Sequence, residues 1–271
     1  MSTVCGIIGI SWKTEKKIRG NFQACEHAGI SYGRVKNLWS RYLKKKIELI
    51  MAIIILLSVA LLTRGEAVVF TGAEAKAVNP NCIVIDAGHG GDDPGKIGIN
   101  KALEKDINLS IAQKLKVLLE SQGYEVVMTR TTSEGLYQPG SRNMKVEDMH
   151  NRCNIISEAM PVFTVSIHQN SYPEEYVNGA QVFYYKQSTE GEALAKKIQA
   201  SMIARLDPGK QRVEKANDSY YMLKKTPTPT VIVECGFLSN WEEAEKLCTE
   251  EYQNKVAWAI HMGIMQYLSE K

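Results

Sequence analysis

The chain has 271 residues, 44% hydrophobic and 23% charged, with 20 Gly and 8 Pro, a usage that excludes collagen-like, low-complexity and largely disordered readings. Its formal charge of +3 is unevenly spread: residues 1–46 hold ten Lys/Arg against Glu15 and Glu26, net +8, while the remainder holds 23 basic against 28 acidic residues, net −5. A body of net negative charge has no electrostatic footprint for nucleic acid, which is excluded as its partner.

At the N-terminal end, Lys44-Lys45-Lys46 leads into Leu49–Leu62, fourteen residues without a charge. As a helix this run spans about 21 Å, short of a hydrocarbon core of about 30 Å. Its length and basic flank fit the apolar region of a secretory signal that engages the membrane with its N-terminus in the cytoplasm, so the rest of the chain is expected to be exported. Ala73-Glu74-Ala75 and Ala75-Lys76-Ala77 have the small-x-small form of a cleavage site but lie far beyond Leu62, which leaves open cleavage or retention as a membrane anchor. The stretch before the run is long for a signal, and part of residues 1–33 reads as a misplaced translation start or an unstructured cytoplasmic tail. Val4-Cys5-Gly6-Ile7-Ile8-Gly9 resembles the start of glutamine amidotransferases with an N-terminal Cys nucleophile, but Met-Ser-Thr-Val blocks the amine that this chemistry needs. The chain thus divides into a basic head (1–46), a hydrophobic signal or anchor (47–62), a linker (63–80) and a domain over 81–271.

Within that domain, Cys82–Ala87 is a short β-branched run that predicts a buried strand. Leu103, Ile107, Ile111, Leu115, Leu118 and Leu119 recur at helical spacing and predict a helix over 103–121, ended by Gly123. Strands are expected at 124–129, 163–168, 180–185 and 230–235. Helices are expected at 147–160, stopped by Pro161; at 190–206, stopped by Asp207-Pro208-Gly209; and at 241–249 and 251–268. Strands alternating with helices give an α/β class: a single domain with a largely parallel twisted sheet flanked by helices. Cys82, Cys153, Cys235 and Cys248 fall in it without a C-x-x-C pair, and their disulfide state stays open.

Ligands of open α/β sheets bind beyond the carboxyl ends of the strands. Those ends carry His89, His168 and Glu234, and Glu104 opens the helix that follows the His89 loop. Two imidazoles and a carboxylate suit a zinc ion with an open fourth position, and a second carboxylate held off the metal suits a general base for water. Plainer readings exist: His168 as a core histidine, Glu104 as a complement to the helix dipole. Glu234 resists one, because a carboxylate within Thr-Val-Ile-Val-Glu-Cys should be buried and then needs a cation or a proton. His27, His150 and His261 read as surface or packing residues, and Cys235 as a small buried one. Gly90–Lys96 fits G-x-x-x-x-G-K, but Ile97 replaces the metal-binding hydroxyl of a phosphate loop and Asp92 and Asp93 repel phosphate, so a nucleotide site is rejected.

Ile85-Asp86-Ala87-Gly88-His89-Gly90-Gly91, Leu103-Glu104-Lys105-Asp106, Ser166-Ile167-His168-Gln169-Asn170 and Val233-Glu234-Cys235-Gly236-Phe237-Leu238-Ser239-Asn240 resemble, in order and spacing, the four motifs of the zinc-dependent N-acetylmuramoyl-L-alanine amidases. The resemblance covers residues 82–269. It implies that His89, Glu104 and His168 bind Zn2+, that Glu234 is catalytic, and that the substrate is the peptidoglycan amide between N-acetylmuramic acid and L-alanine. The stretch Ala216–Pro227 is similar, more narrowly, to the germination-specific branch, which acts in spore-cortex maturation and helps to make muramic-δ-lactam. Asn170, Asn217 and Tyr220 are the candidates for holding the substrate strand. Ser157 stands where many relatives carry Asn, a departure near the packing of the site rather than at the metal. The metal chemistry alone also suits a zinc peptidase or carboxypeptidase acting on wall peptides, and a relic site would leave a non-catalytic wall-binding protein. Whether the metal site is preformed or needs an accessory protein for activation is not legible.

Overall fold

The computed structural model describes residues 32–63, 76–206 and 212–271. The chain divides into two units, Met1–Glu74 and Ala75–Lys271. In the first, α1 (Tyr32–Thr63) is one continuous helix that runs through the expected boundary at residue 46. Its side chains between residues 40 and 57 are exposed. Among the described residues no helix is long and apolar enough to cross a membrane. Residues 1–31, residues 73–75 of the small-x-small motifs and the Asp207-Pro208-Gly209 stop lie outside the described residues.

The second unit is built on six strands: β1 (Asn79–Ala87), β2 (Glu125–Met128), β3 (Pro161–Asn170), β4 (Gln181–Tyr185), β5 (Lys215–Asn217) and β6 (Thr230–Phe237). They lie in the order β2-β1-β3-β6-β4-β5. The first four are mutually parallel; β4 runs antiparallel to β6, and β5 is parallel to β4. The sheet is therefore largely parallel, as expected, with one reversed pair at an edge.

Alternation along β1 sends Ile83, Ile85 and Ala87 to one face and Val84 and Asp86 to the other. The first face carries the main core under α2 (Glu104–Ser121), α4 (Thr189–Leu206), α6 (Trp241–Leu247) and α7 (Glu250–Ser269), where Leu115, Ile198 and Ile260 are fully buried. A Cβ on Gly263 of α7 would sit 2.5 Å from the Ile198 Cα, so α4 and α7 cross in backbone contact. The opposite face is covered by α3 (Met144–Ala159) and the one-turn α5 (Tyr221–Lys225), with Val84, Cys153, Ile156 and Met222 forming a smaller core.

Element ends follow local chemistry. Met160 takes a left-handed conformation (φ 43°) and Pro161 opens β3, a strand position that needs no amide donor. Asn240 accepts a hydrogen bond from the Glu243 amide at 2.9 Å and Thr249 from Tyr252 at 3.3 Å, which starts α6 and α7 as separate helices. β5 and α5 were not expected from the sequence, and β3 extends beyond its expected span on both sides.

Candidate metal centre

The site lies at the carboxyl ends of the parallel strands. β1 leads into Gly88-His89-Gly90-Gly91, where His89 itself is left-handed (φ 62°). Gly88 is obligatory: a Cβ there would meet the His168 ring at 2.2 Å. The His89 ring faces two carboxylates, with Nδ1 2.8 Å from Asp93 Oδ2 and Nε2 3.3 Å from Glu104 Oε1. The other Asp93 oxygen pairs with Lys145 at 3.2 Å.

Glu104, the first residue of α2, is 2% exposed. Its Oε2 accepts from the Lys96 amide at 2.7 Å and its Oε1 from the Gln169 amide at 3.0 Å. The same Oε1 lies 3.0 Å from His168 Nδ1. Burial opposes ionisation of this carboxyl, but the hydrogen bonds and charges of His168 and His89 hold it well below the usual carboxylate range. His168 sits on β3, and its ring meets that of His89 edge-on with centroids 5.0 Å apart.

Ligand atoms of His89, Glu104 and His168 all lie within 4.8 Å of one another. Donors bound tetrahedrally at about 2.1 Å from one ion lie about 3.4 Å apart, and Glu104 Oε1 lies 3.3 Å from His89 Nε2 and 3.0 Å from His168 Nδ1. Two imidazoles and one carboxylate form an N/O set that could hold a metal ion such as zinc.

Glu234 on β6 is the register partner of His168 on β3. Its Oε2 is buried without a hydrogen-bond partner. Burial pushes its pKa up to about 7; the charge of Glu104 adds to the rise, while His168 and His89 oppose it. The sheet thus sets a second buried carboxyl beside the triad.

These groups line a cleft of about 440 Å³. Asn170 and Tyr220 also line it, with Lys96, Lys145 and Tyr221, which the sequence did not single out. Asn217 does not face this cleft; its side-chain oxygen accepts from the Ser219 and Tyr220 amides at 2.8 Å each, a turn that sets Tyr220 at the rim. The sequence also missed Asp93, whose only signal is its place four residues after His89. His261 is buried against Trp258 and His150 stacks near Tyr221, while His27 is outside the described residues. Cys235 is buried, and burial pushes its thiol pKa up; Cys82, Cys153 and Cys248 are likewise free.

The family described as N-acetylmuramoyl-L-alanine amidase matches residues 83–266. The germination-specific N-acetylmuramoyl-L-alanine amidase of Bacillus subtilis (strain 168) is 36% identical over 192 residues, 70% of this chain and 80% of that one. The amidase LytC of the same organism is 33% identical over 187 residues, 68% of this chain and 35% of its own length. Among solved structures, the CwlD amidase from Clostridioides difficile, in complex with the GerS lipoprotein, superposes with a TM-score of 0.69 at 42% identity, covering 70% of this chain and 100% of that one.

Proposed function

The chain belongs to the N-acetylmuramoyl-L-alanine amidase family, and on that premise we propose that it hydrolyses the amide between the lactyl group of N-acetylmuramic acid and L-alanine in peptidoglycan. His89, Glu104 and His168 hold zinc in this reading. The ion, when bound, supplies a Lewis acid for the scissile carbonyl and acidifies water. Glu234 takes the proton from the attacking water on its unpartnered Oε2 and passes it to the leaving L-alanine nitrogen. Asn170 and Tyr220, at the cleft wall, bind the strand, and Asn217 holds Tyr220 in place. The observation that carries the reading is the solitary buried Glu234 oxygen next to three converging metal donors.

Likeness to the germination-specific amidase supports a place for this chain in spore-cortex maturation, and a contribution to muramic-δ-lactam formation belongs to the same proposal. The basic head and the apolar half of α1 support export, with that segment acting at the membrane as a signal or anchor. The complex of the similar amidase with a lipoprotein supports an accessory partner for this chain as well.

The test is mass spectrometry of cortex-type peptidoglycan after incubation with the zinc-loaded protein. We expect stem peptides with a new N-terminal L-alanine, abolished by a chelator and restored by zinc. Cuts inside the stem with the lactyl–alanine link intact would mean a peptidase, and zinc binding without either product a wall-binding role.

A further inference from the structure

His89 is held through its backbone as well as its ring. Three successive carbonyls, those of Ala87, Gly88 and His89, accept hydrogen bonds from buried side chains. Arg152, 1% exposed, donates from Nη1 to the Ala87 carbonyl at 2.7 Å and from Nη2 to the His89 carbonyl at 2.6 Å. Arg130 donates from Nε to Ala87 at 2.8 Å and from Nη2 to Gly88 at 3.0 Å, and Asn108 reaches the Gly88 carbonyl at 3.1 Å. The Arg152 fork is itself anchored: Asp86 Oδ1 lies 2.6 Å from Nη1 and Asp148 Oδ2 2.5 Å from Nε. Ser166 and Thr129 complete the shell around Asp86.

A residue with a Cβ in the left-handed region is strained and persists only where its surroundings over-determine it. His89 is such a residue, and a relaxed backbone there would swing the imidazole away from Glu104 and His168. We propose that Arg152 is a positioning residue of the metal centre: by bridging the carbonyls of Ala87 and His89 it keeps His89 left-handed, with Nε2 turned toward Glu104. This rests on His89 being a metal ligand and assigns a new task to a residue that touches neither metal nor substrate. Two other roles for Arg152 make different predictions. As a mere counter-ion of Asp86 it would be replaceable by lysine, which keeps the charge and loses the planar fork. As a mere cation near a divalent ion it would weaken metal binding, so its loss would tighten it.

The experiment uses the full chain as wild type, Arg152→Lys, His89→Ala and, as a control for stability alone, Ile198→Ala in the core under α4. Zinc affinity is measured by competition with a chromophoric chelator, coordination by the visible bands of bound cobalt(II), and stability by thermal unfolding of the metal-free protein. We expect Arg152→Lys to bind zinc about 10–100-fold more weakly, as when a partner of a metal-bound histidine is lost, and to show altered cobalt bands. Ile198→Ala should melt earlier and bind zinc as the wild type does. Wild-type affinity and bands in Arg152→Lys, with zinc lost in His89→Ala, would overturn the positioning role alone; unchanged affinity in His89→Ala would overturn the ligand reading beneath it. If Arg152→Lys does not fold, Asp148→Asn decides, since it keeps Arg152 and loosens its anchor. Weaker zinc binding there supports the proposal, and unchanged binding overturns it.

Discussion

Glu234 carries a pH dependence whose sign follows from its burial. Its carboxyl titrates at about 7 in the folded chain, against 4.5 for the free group. Between those values the folded state holds a proton that the unfolded state has released, so stability falls as pH rises from 4.5 to 7. The stabilising contribution is whole below 4.5 and gone above 7. Replacing Glu234 by Gln removes this term. In denaturant unfolding of the metal-free protein, Glu234→Gln should match the wild type near pH 4.5 and exceed it by about 3 kcal/mol at pH 8. With zinc present the same variant should keep its metal and lose about 10²–10⁴-fold in turnover. Glu104→Gln should instead lose zinc first and recover part of its activity at high metal concentration; metal content and amide hydrolysis measured side by side distinguish the two. The converging residues were legible because an acid or a histidine at the end of an apolar strand is costly to bury unless a cation, a proton or a ligand meets it there. Arg152 was not legible, although it shares a helix face with Met149, Cys153 and Ile156, because an arginine among apolar positions reads as an exposed residue until its acceptors are known. Two of its acceptors, the carbonyls of Ala87 and His89, are backbone atoms, which leave no trace in a sequence.

The elements divide the same way. The long helices α2, α4 and α7 carry enough turns for spacing to declare a buried stripe, and β1, β3 and β6 declare themselves as β-branched runs. β5, three residues, and α5, five, are shorter than any period can reveal. The reversed direction of β4 was equally hidden, since five alternating residues look alike in a parallel or an antiparallel strand. The crossing of α4 and α7 gives a test with a definite sign. Helix propensity alone favours Ala over Gly by about 1 kcal/mol at position 263. The methyl group would meet the Ile198 backbone at 2.5 Å, so Gly263→Ala should instead destabilise by about 1–3 kcal/mol in denaturant unfolding. A gain in stability would show that the two helices are not in backbone contact.

At the scale of the molecule, the unit Ala75–Lys271 contains every residue of the sheet, of the cores on its two faces and of the candidate site. Expressed without residues 1–74 it should remain monodisperse, unfold cooperatively and bind zinc as the full chain does; aggregation of this piece would tie its folding to the head. The sheet within it has one more property. β6 is the link between two half-sheets, β2-β1-β3 on one side and β4-β5 on the other, since β3 pairs with β6 and β6 with β4. A ribosome delivers the chain from its N-terminus, so His89, Glu104 and His168 emerge well before Thr230–Phe237. Until that strand arrives, β3 and β4 each present an unpaired edge, the kind of surface that recruits neighbouring chains into aggregates. Synthesis therefore yields His89, Glu104 and His168 before Glu234, and the strand that brings Glu234 is the same strand that joins the two half-sheets. A nascent chain halted short of residue 230 holds His89, Glu104 and His168 without Glu234, and one halted just past Phe237 has a joined sheet whose main core still waits for α6 and α7.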